Sequence, residues 1–498
     1  MTTAHVAFSQ SDQADNEIRV SIKKATVLAR RGDLQSAEGA LRKALETSPA
    51  SLDIKVELAL VLVKEHRVRD GYDIVYPIAR DAPKNSHAFA VLGMAFLNGG
   101  RFKDAQMLFR NALELNRREH LAWAGIGMVD FYENQIDDAA ANLQEAIFHE
   151  PDEPDYLLSL AQVAARGEHY DVAAECYRRF LRIASDTDKE RKDRIKGLIS
   201  FLDYLGRTQS LYIVRGQQDA TVPFDLVGNR PVIGLNVNGK REQLRFVLDT
   251  GSGISVISSQ TAKKLGIKPI SRGGIARGIG GTGKFEIVYG MLNTVEIGGV
   301  VVRNVPVYIR PFQAAANEAD GYIGLSLISK FLTTIDYGAH TFALTKKDID
   351  VKDFASKSDI SLPLRLTSSG FLSGEVVVEG VDAPLNFIVD TGASISVISN
   401  EVAKLERVST FADPDRLQVV GSAGVANNVQ MFRLPRITFG THTRQDVMAA
   451  ALDLDIINEA SGFEQAGILG GNFLKNYRLT FDFHNAKVIF VPLVPEKQ

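Results

Sequence analysis

A thirteen-residue stretch occurs twice in this chain in nearly the same form. It reads FVLDTGSGISVIS at residues 246–258 and FIVDTGASISVIS at residues 387–399. In both copies the aspartate lies 31 residues before a glycine, so the matched spacing continues beyond the stretch itself. Segments with the same order of apolar runs and glycines are expected to fold with the same topology. The duplication therefore predicts two similar domains in tandem.

Short runs of β-branched residues, separated by glycines, make up the chain from residue 231 onward. This pattern is typical of all-β domains. Each copy later has two apolar residues before a glycine, Gly324 or Gly470, and ends with a strand that contains Asp336 or Asp482. The predicted segments are a first β domain, a polar connector and a second β domain, at residues 231–345, 346–361 and 362–498.

The N-terminal part of the chain repeats with a period of 34 residues in helical context. Small side chains at fixed positions allow two antiparallel helices to cross closely, and a proline ends the second helix before the next unit. The small residues are Ala25, Ala59, Gly93, Gly127 and Ala161, with a second set at Ala37, Gly71, Ala105, Ala139 and Ala173, and the prolines are Pro49, Pro83 and Pro151. The pattern predicts a stack of helix pairs.

This repeat resembles the tetratricopeptide (TPR) family over five units, with Trp123 and the pair Leu92 and Gly93 at the family's usual positions. The resemblance implies an all-α solenoid, and the last helix would cap the open end of the stack, as terminal repeats require. We expect residues 1–17 to be a disordered N-terminus and residues 18–206 to be the solenoid, whose capping helix is 189–205. Residues 207–230 are expected to be a linker.

The concave face of such a solenoid is used for binding proteins or peptides. By the same resemblance, the groove positions are Val56, Leu60, Val63, Ala90, Met94, Leu97, Ala124, Met128 and Phe131. All of them are apolar. We therefore expect either a protein partner in this groove, or a groove that is solenoid core or is covered by the rest of the chain.

The overall composition argues against some classes of partner. The formal net charge is -3 and the apolar fraction is 45%, which predicts a globular protein without the basic surface that nucleic acid requires. Cys176 is the only cysteine, and residues 1–20 contain no apolar run, so we expect no internal disulfide, no export signal and no membrane span. The expected compartment is the cytoplasm, or the periplasm or exterior if an export signal was removed.

The two β segments are similar to retropepsin-like aspartic protease domains, the single-lobe fold of retroviral proteases and of related bacterial domains. The motifs that carry the similarity are an apolar strand leading into Asp-Thr-Gly, a glycine-rich segment, and two apolar residues followed by glycine. One such lobe supplies half of an active site. The resemblance therefore implies a multidomain chain in which the TPR solenoid precedes two all-β lobes that pair as a pepsin-like pseudo-dimer.

The resemblance assigns the catalytic pair to Asp249 and Asp390. Two carboxylates about 3 Å apart cannot both ionise, so one serves as the acid while the other serves as the base that activates water. The residues that support the pair are Thr250, Gly251 and Ser252 in the first copy and Thr391, Gly392 and Ala393 in the second. Because Ser252 offers a hydroxyl that Ala393 lacks, we expect Asp249 to ionise more readily and Asp390 to carry the proton.

Glycine-rich segments follow each aspartate and are expected to form hairpin flaps over the substrate, although ordinary hairpin turns have a similar composition. The flap glycines are Gly280, Gly281 and Gly283 in the first copy and Gly421 and Gly424 in the second. Gly324 and Gly470 match the glycine of the family's psi-loop.

Together these features predict an aspartic endopeptidase that cleaves a protein or peptide substrate, with the TPR solenoid recruiting or positioning that substrate or a partner. Bulky apolar residues are expected beside the scissile bond. A non-catalytic peptide-binding scaffold is the alternative function, and a homodimer with exchanged lobes is the alternative to an active monomer. No metal or cofactor is expected, because the chain has no HExxH, CxxC or P-loop motif.

Overall fold

The computed structural model describes residues 2–186, 188–208, 210–279, 284–312, 319–346, 360–363 and 365–493. The chain forms two compact units. One consists of Met1–Phe131 with Gln135–Lys192, and the other of Tyr132–Asn134 with Asp193–Gln498. The first unit is helical, and the second contains the two β lobes.

The first unit is built from consecutive helix pairs, as the repeat predicts. Its helices are α1 (Thr2–Arg31), α2 (Leu34–Thr47), α3 (Leu52–Lys64), α4 (Val68–Asp81), α5 (Ser86–Asn98), α6 (Phe102–Leu115), α7 (His120–Tyr132), α8 (Ile136–His149), α9 (Pro154–Arg166) and α10 (Tyr170–Ile183). A Cβ atom on Gly93 of α5 would lie 2.6 Å from the ring of Phe109 on α6. One on Gly71 of α4 would lie 2.8 Å from the carbonyl oxygen of Ala59 on α3. Any larger side chain would collide there, so the expected close crossing of paired helices is confirmed.

Polar side chains start several of these helices. Asp33 precedes α2 and its carboxylate accepts a hydrogen bond from the backbone N–H of Ser36 at 3.1 Å. Asn85 precedes α5 and accepts from the N–H of Ala88 at 2.9 Å. Each bond satisfies an N–H group that the first turn of a helix leaves without a partner, which explains why these helices begin where they do.

The ends of the helical region differ from the boundaries that the sequence predicts. Residues 1–17 are expected to be disordered, but α1 begins at Thr2. The reason is that the segment contains neither proline nor glycine, so nothing in it interrupts the helix. The expected capping helix is present as α11 (Lys189–Arg207), but its residues from Asp193 onward belong to the second unit.

The apolar groove expected along the solenoid consists mostly of buried residues. Val56 and Phe131, for example, expose 1% and 0% of their surface. Charged side chains from α1 and α3 pair with Glu153 at the start of α9, at 3.3 Å for Arg30 and 2.7 Å for Lys64. Most of the groove positions are therefore core rather than an open apolar surface, and a partner bound in this groove stays a prediction.

The first β lobe starts earlier than expected, because the predicted linker at 207–230 contains two of its strands. The elements of this lobe are β1 (Ile213–Gly216), β2 (Asp219–Val227), β3 (Arg230–Val237), β4 (Leu244–Leu248), β5 (Ser255–Ser258), α12 (Ser259–Leu265), β6 (Ser271–Arg277), β7 (Lys284–Ile297), β8 (Val300–Arg310), β9 (Gly321–Ile323), α13 (Leu325–Ile328), β10 (Leu332–Asp336) and β11 (Thr341–Thr345). Strand β1 pairs with β8 and β2 pairs with β3, so both continue the sheet of the lobe.

The second β lobe repeats the strand order of the first. Its elements are β12 (Ile360–Pro363), β13 (Arg365–Leu366), β14 (Leu372–Val378), β15 (Leu385–Val389), β16 (Ser396–Ser399), α14 (Asn400–Ala403), α15 (Glu406–Ser409), β17 (Ala412–Gly421), β18 (Gly424–Phe439), β19 (His442–Leu452), α16 (Asp455–Ser461), β20 (Gly467–Leu469), α17 (Gly471–Leu474), β21 (Tyr477–Asp482) and β22 (Lys487–Pro492). The order β3-β4-β9-β5-β8-β7-β6 corresponds to β14-β15-β20-β16-β19-β18-β17. The shared topology that the duplication predicts is therefore confirmed. Most of the expected connector at 346–361 lies outside the described residues.

A continuous sheet joins the two lobes. Strands β12, β22 and β21 lie beside β10, β11 and β2, so each copy contributes three adjacent strands. At the junction β10 runs antiparallel to β21, and the hydroxyls of Thr334 and Thr480 are 3.0 Å apart. Because equivalent residues meet there, the lobes are related by an approximate twofold axis, as expected of a pseudo-dimer within one chain.

Candidate active site

Each of the two Asp-Thr-Gly aspartates follows a buried strand at the same place in its lobe. Asp249 follows β4, and its N–H donates to the carbonyl oxygen of Ile323 at 3.0 Å. Asp390 follows β15, and its N–H donates to Leu469 at 3.0 Å. In both lobes the strand before the aspartate pairs in parallel with the short strand that supplies this carbonyl. The parallel pairing therefore fixes the backbone from which each carboxylate projects.

The loops that carry the aspartates are joined by a symmetric set of hydrogen bonds. The hydroxyl of Thr250 donates to the carbonyl of Val389 at 2.7 Å and accepts from the N–H of Thr391 at 3.1 Å. The hydroxyl of Thr391 donates to Leu248 at 2.7 Å and accepts from the N–H of Thr250 at 3.1 Å. Both threonines are fully buried. The four bonds hold the two loops together at the centre of the second unit.

The glycines after the threonines allow the carboxylates to approach the opposite loop. A Cβ atom on Gly251 would lie 2.6 Å from Oδ2 of Asp390, and one on Gly392 would lie 2.7 Å from Oδ1 of Asp249. A side chain at either position would collide with a carboxylate, so only glycine fits. The N–H of Gly392 also donates to Oδ1 of Asp390 at 2.7 Å. The structure thus brings together the two aspartates that the sequence singles out.

The two carboxyl groups have different surroundings. Burial, the Asp390 charge and the hydrogen bond to Asp390 raise the pKa of Asp249 well above its usual value. Burial also raises the pKa of Asp390, but the hydrogen bond from Asp249 and the backbone N–H of Gly392 act in the opposite direction. Because hydrogen bonds donated to a carboxylate favour its charged form, the 2.7 Å bond from Gly392 favours the ionised form of Asp390.

This contact opposes the expectation based on Ser252, and the position of the shared proton stays a prediction. The Ser252 hydroxyl donates to the carbonyl oxygen of Ile254 at 2.8 Å, so its proton does not point at Asp249. Ser252 is close to Asp249 in the sequence, but in the folded turn its hydroxyl donates to a backbone carbonyl instead of to the carboxylate. The matching Ala393 lines the cleft and accepts a hydrogen bond from the N–H of Gly471 at 2.7 Å.

The glycines assigned to the psi-loops lie directly behind the aspartate loops. The N–H of Gly324 donates to the Ser255 hydroxyl at 3.1 Å, and that of Gly470 donates to the Ser396 hydroxyl at 3.2 Å. A Cβ atom on Gly324 would lie 2.7 Å from the carbonyl oxygen of Ser252. In each lobe the later glycine motif therefore folds back onto the Asp-Thr-Gly loop.

Two hairpins, β6–β7 and β17–β18, extend from the lobes, and the turn of the second contacts the described part of the first. The second-lobe hairpin joins β17 to β18 through a two-residue turn between Gly421 and Gly424, and Gly424 has φ +150°, a conformation open to glycine. In the turn, the N–H of Ala423 donates to the carbonyl of Ile279 in the first-lobe segment at 3.2 Å. Gly280, Gly281 and Gly283, predicted for the first flap, lie outside the described residues.

A cavity of about 1340 Å³ lies between the lobes and contains both aspartates in its lining. Its walls also include Phe285, Arg310 and Tyr322, which the sequence does not single out. These residues come from three different strands, and only the pairing of those strands brings them to one wall. Nothing in a single sequence indicates that these residues lie near the Asp-Thr-Gly motif in the folded protein.

Two further observations concern the described part of the chain. No group of three or more histidine, cysteine, aspartate or glutamate side chains is arranged to hold a metal ion there. Among the same residues, no helix is both long and apolar enough to cross a membrane.

Models of two protein families match parts of the chain. The aspartyl protease family model matches residues 233–327 and 374–473, and a tetratricopeptide repeat model matches residues 125–187. A thermophilic TPR protein of Thermus thermophilus is similar at 19% identity, over 39% of this chain and 98% of its own, with a TM-score of 0.30. PilF of Pseudomonas aeruginosa is similar at 18% identity, over 39% of this chain and 87% of its own, with a TM-score of 0.28. A search of curated proteins found no match.

The family matches coincide with the observed units. Each aspartyl protease match lies in one β lobe and contains one Asp-Thr-Gly sequence. The TPR match spans helices α7 to α10. The chain therefore carries a tetratricopeptide-repeat region followed by two lobes that match the aspartyl protease family model.

Proposed function

We propose that this protein is an aspartic endopeptidase whose catalytic residues are Asp249 and Asp390. The observation that carries the proposal is the approach of each carboxylate to the glycine of the opposite loop, at the centre of a cleft between two paired lobes. Thr250 and Thr391 support the same interpretation, because their cross-linked hydroxyls hold the pair rigidly. Rigid, pre-arranged acid and base groups are what hydrolysis of a peptide bond requires.

The proposed reaction uses one proton shared between two buried carboxyl groups. Asp390, the ionised partner, accepts a proton from a water molecule as the water oxygen attacks the carbonyl carbon of the scissile bond. Asp249 donates its proton to the carbonyl oxygen, which gives a neutral tetrahedral diol. The diol collapses when Asp249 takes a proton back from one of its hydroxyl groups and Asp390 protonates the leaving nitrogen. The C–N bond then breaks, with no covalent enzyme intermediate.

The raised pKa of the pair predicts the pH range of this activity. The active form holds one proton, so activity falls when the pair loses that proton as the pH rises. Because burial raises the pKa of both Asp249 and Asp390, the active range extends to higher pH than the pKa of an isolated aspartate would allow.

The hairpins and the solenoid suggest how substrate is held. An extended peptide in the cleft can form main-chain hydrogen bonds with the strands of the two hairpins. The contact between Ile279 and Ala423 would have to open for substrate entry and form again to exclude water. The TPR domain would recruit or position the protein that carries the peptide.

The proposal is tested by mapping cleavage of a mixed peptide library by mass spectrometry between about pH 3 and 8, the range over which a coupled carboxylate pair titrates. Wild type is compared with Asp249→Asn and Asp390→Asn, each expected to lose about 10²- to 10⁴-fold in rate. Asp225→Asn is the matched control, because that side chain is 79% exposed.

Cuts that vanish in both dyad variants and persist in the control would support the proposal. The absence of cuts from wild type with native circular dichroism would contradict it and favour the peptide-binding scaffold. Equal cleavage by wild type and both dyad variants would also contradict it, because the activity would then come from a contaminant.

A further inference from the structure

The two walls of the cleft differ at equivalent positions. In the first lobe, β5 pairs in parallel with β8 and Ser258 lies opposite Arg310. In the second lobe, β16 pairs in parallel with β19 and Ser399 lies opposite Leu452. Both Arg310 and Leu452 line the cleft. The first lobe thus presents a cation where the second presents an aliphatic side chain.

Aromatic rings surround the guanidinium of Arg310. Its Cζ atom lies 5.5 Å from the ring centre of Phe285, 5.6 Å from that of Phe312 and 6.0 Å from that of Tyr322. The side chain is half-buried, and burial lowers its pKa. Contact with aromatic faces orients the planar guanidinium and excludes part of its water.

Most of the hydrogen-bonding capacity of Arg310 remains unused by described residues. Its Nη1 donates to the carbonyl oxygen of Ser422 in the second-lobe hairpin at 2.7 Å. A guanidinium has five N–H donors. No carboxylate in the described part of the chain forms an ion pair with it, although its charge lowers the pKa of Asp249. Arg310 is therefore a partly desolvated cation close to the dyad.

At the corresponding positions the second lobe carries aliphatic side chains, although Arg444 lines another part of its wall. Ile468 is the second-lobe equivalent of Tyr322. It lies opposite Val397, as Tyr322 lies opposite Val256 in the first lobe. Ile468 and Leu452 belong to one apolar cluster that also contains Val397. An acidic side chain placed against Leu452 and Ile468 would lose its hydration without gaining a partner there, whereas an aliphatic side chain would be stabilised.

We propose that Arg310 makes the first-lobe wall a subsite for a carboxylate, so that the preferred peptide carries glutamate or aspartate at one position near the scissile bond. The residue bound by the second-lobe wall is then aliphatic. Arginine binds a carboxylate through paired N–H donors, which gives both affinity and orientation. The inference rests on the proposed binding of a peptide in the cleft, but it does not require that the peptide be cleaved. It replaces the expectation of apolar residues on both sides of the bond.

The test measures peptide binding by a protein whose proposed catalysis has been removed. Fluorescein-labelled peptides of alanine and leucine, with glutamate or glutamine placed at each position in turn, are titrated with Asp390→Asn protein and followed by fluorescence anisotropy. At one position glutamate is expected to bind about 10- to 100-fold more tightly than glutamine, the effect of a charged hydrogen-bonded pair. Adding Arg310→Met should abolish this ratio, whereas Arg310→Lys should keep part of it. Arg303→Met replaces an exposed arginine of the same strand that does not line the cleft, and this matched control should leave the ratio unchanged.

The outcomes separate this inference from the proposed function. Equal binding of glutamate and glutamine peptides at every position would overturn the subsite. A drop in affinity that is equal for both peptides in the Arg310→Met protein would also overturn it, and would show that Arg310 only holds the Ser422 hairpin. If wild type cleaves no peptide but the ratio is found and depends on Arg310, the proposed catalysis fails and the carboxylate subsite stands.

Discussion

At the scale of single residues, the two aspartates are equivalent in position but not in surroundings. Both emerge from matching strands and face the glycine of the other loop. Hydrogen bonds from backbone N–H groups favour the charged form of Asp390, which supports the proposed placement of the proton on Asp249. The difference comes from small departures from symmetry in the loops, because the Asp-Thr-Gly residues themselves are identical in the two copies.

The Ser252 hydroxyl gives a test of this assignment. Ser252→Ala should leave the lower apparent pKa of the pH–activity profile unchanged, because the hydroxyl donates to Ile254 and not to the dyad. The variant should lose about 1 kcal/mol of unfolding free energy with the lost hydrogen bond, as measured by urea denaturation. Ser409→Ala removes a similar bond on an exposed helix, at 2.8 Å to Glu406, and serves as the control. If the lower apparent pKa rose in Ser252→Ala and not in the control, the result would indicate that Asp390 carries the proton.

At the scale of elements, helix α11 packs against the strands that lead into the first-lobe hairpin. The Ser271 hydroxyl on β6 donates to the carbonyl of Gly197 at 3.0 Å, and Phe201 stacks on Tyr289 of β7 with ring centres 4.4 Å apart. Tyr289 in turn contacts the ring of Tyr308 at 5.4 Å, and Tyr308 lines the cleft. The helix expected to cap the solenoid is therefore connected through packed side chains to the wall of the cleft.

Replacement of Gly197 tests the importance of this packing. A Cβ atom there would collide with the carbonyl oxygen of Arg272 and with Cα of Gly273. Gly197→Val should destabilise the protein by about 1–3 kcal/mol through overpacking, and should raise KM for a cleaved peptide because β6 shifts. The control is Gly39→Val in α2, where a Cβ atom meets nothing within 4 Å. Equal unfolding free energies and equal KM values for the two variants would show that α11 does not restrain the hairpin.

At the scale of the whole chain, both halves of the candidate site come from one polypeptide. Six adjacent strands, three from each copy, form the sheet that joins the lobes, and the Thr250–Thr391 hydrogen bonds lie within the same unit. Pairing inside one chain removes the loss of translational freedom that separate lobes would face on association. A second copy of the chain is therefore unnecessary to complete the dyad.

The specific activity of the protein should therefore be independent of its concentration. Peptide cleavage measured per molecule is expected to be constant over about three decades of concentration, since no association step precedes the formation of the site. Size-exclusion chromatography at the same concentrations provides the oligomeric state. Specific activity that rises with concentration, together with a shift to a dimer, would show that lobes pair between chains.

The order of helices and strands follows from features that are local in the sequence. Small residues repeated every 34 positions mark helix crossings such as Gly93 on Phe109, and the repeated Asp-Thr-Gly context marks two lobes of one topology. These signals survive in a single sequence because helix and strand periodicity depends on near neighbours. The pairing of Asp249 with Asp390 is expected from the resemblance to aspartic protease lobes, each of which supplies half of a site.

Other properties depend on contacts between distant parts of the chain, and only the folded structure reveals them. The Ser252 hydroxyl donates to the carbonyl of Ile254 rather than to Asp249, and the groove position Val56 is core. Arg310 contacts Ser422, a residue 112 positions away, and reaches the cleft only because β5, β8 and β9 are neighbours in the sheet. Local patterns thus determine which elements form, while side-chain orientation and the lining of the cleft are determined by how those elements pack.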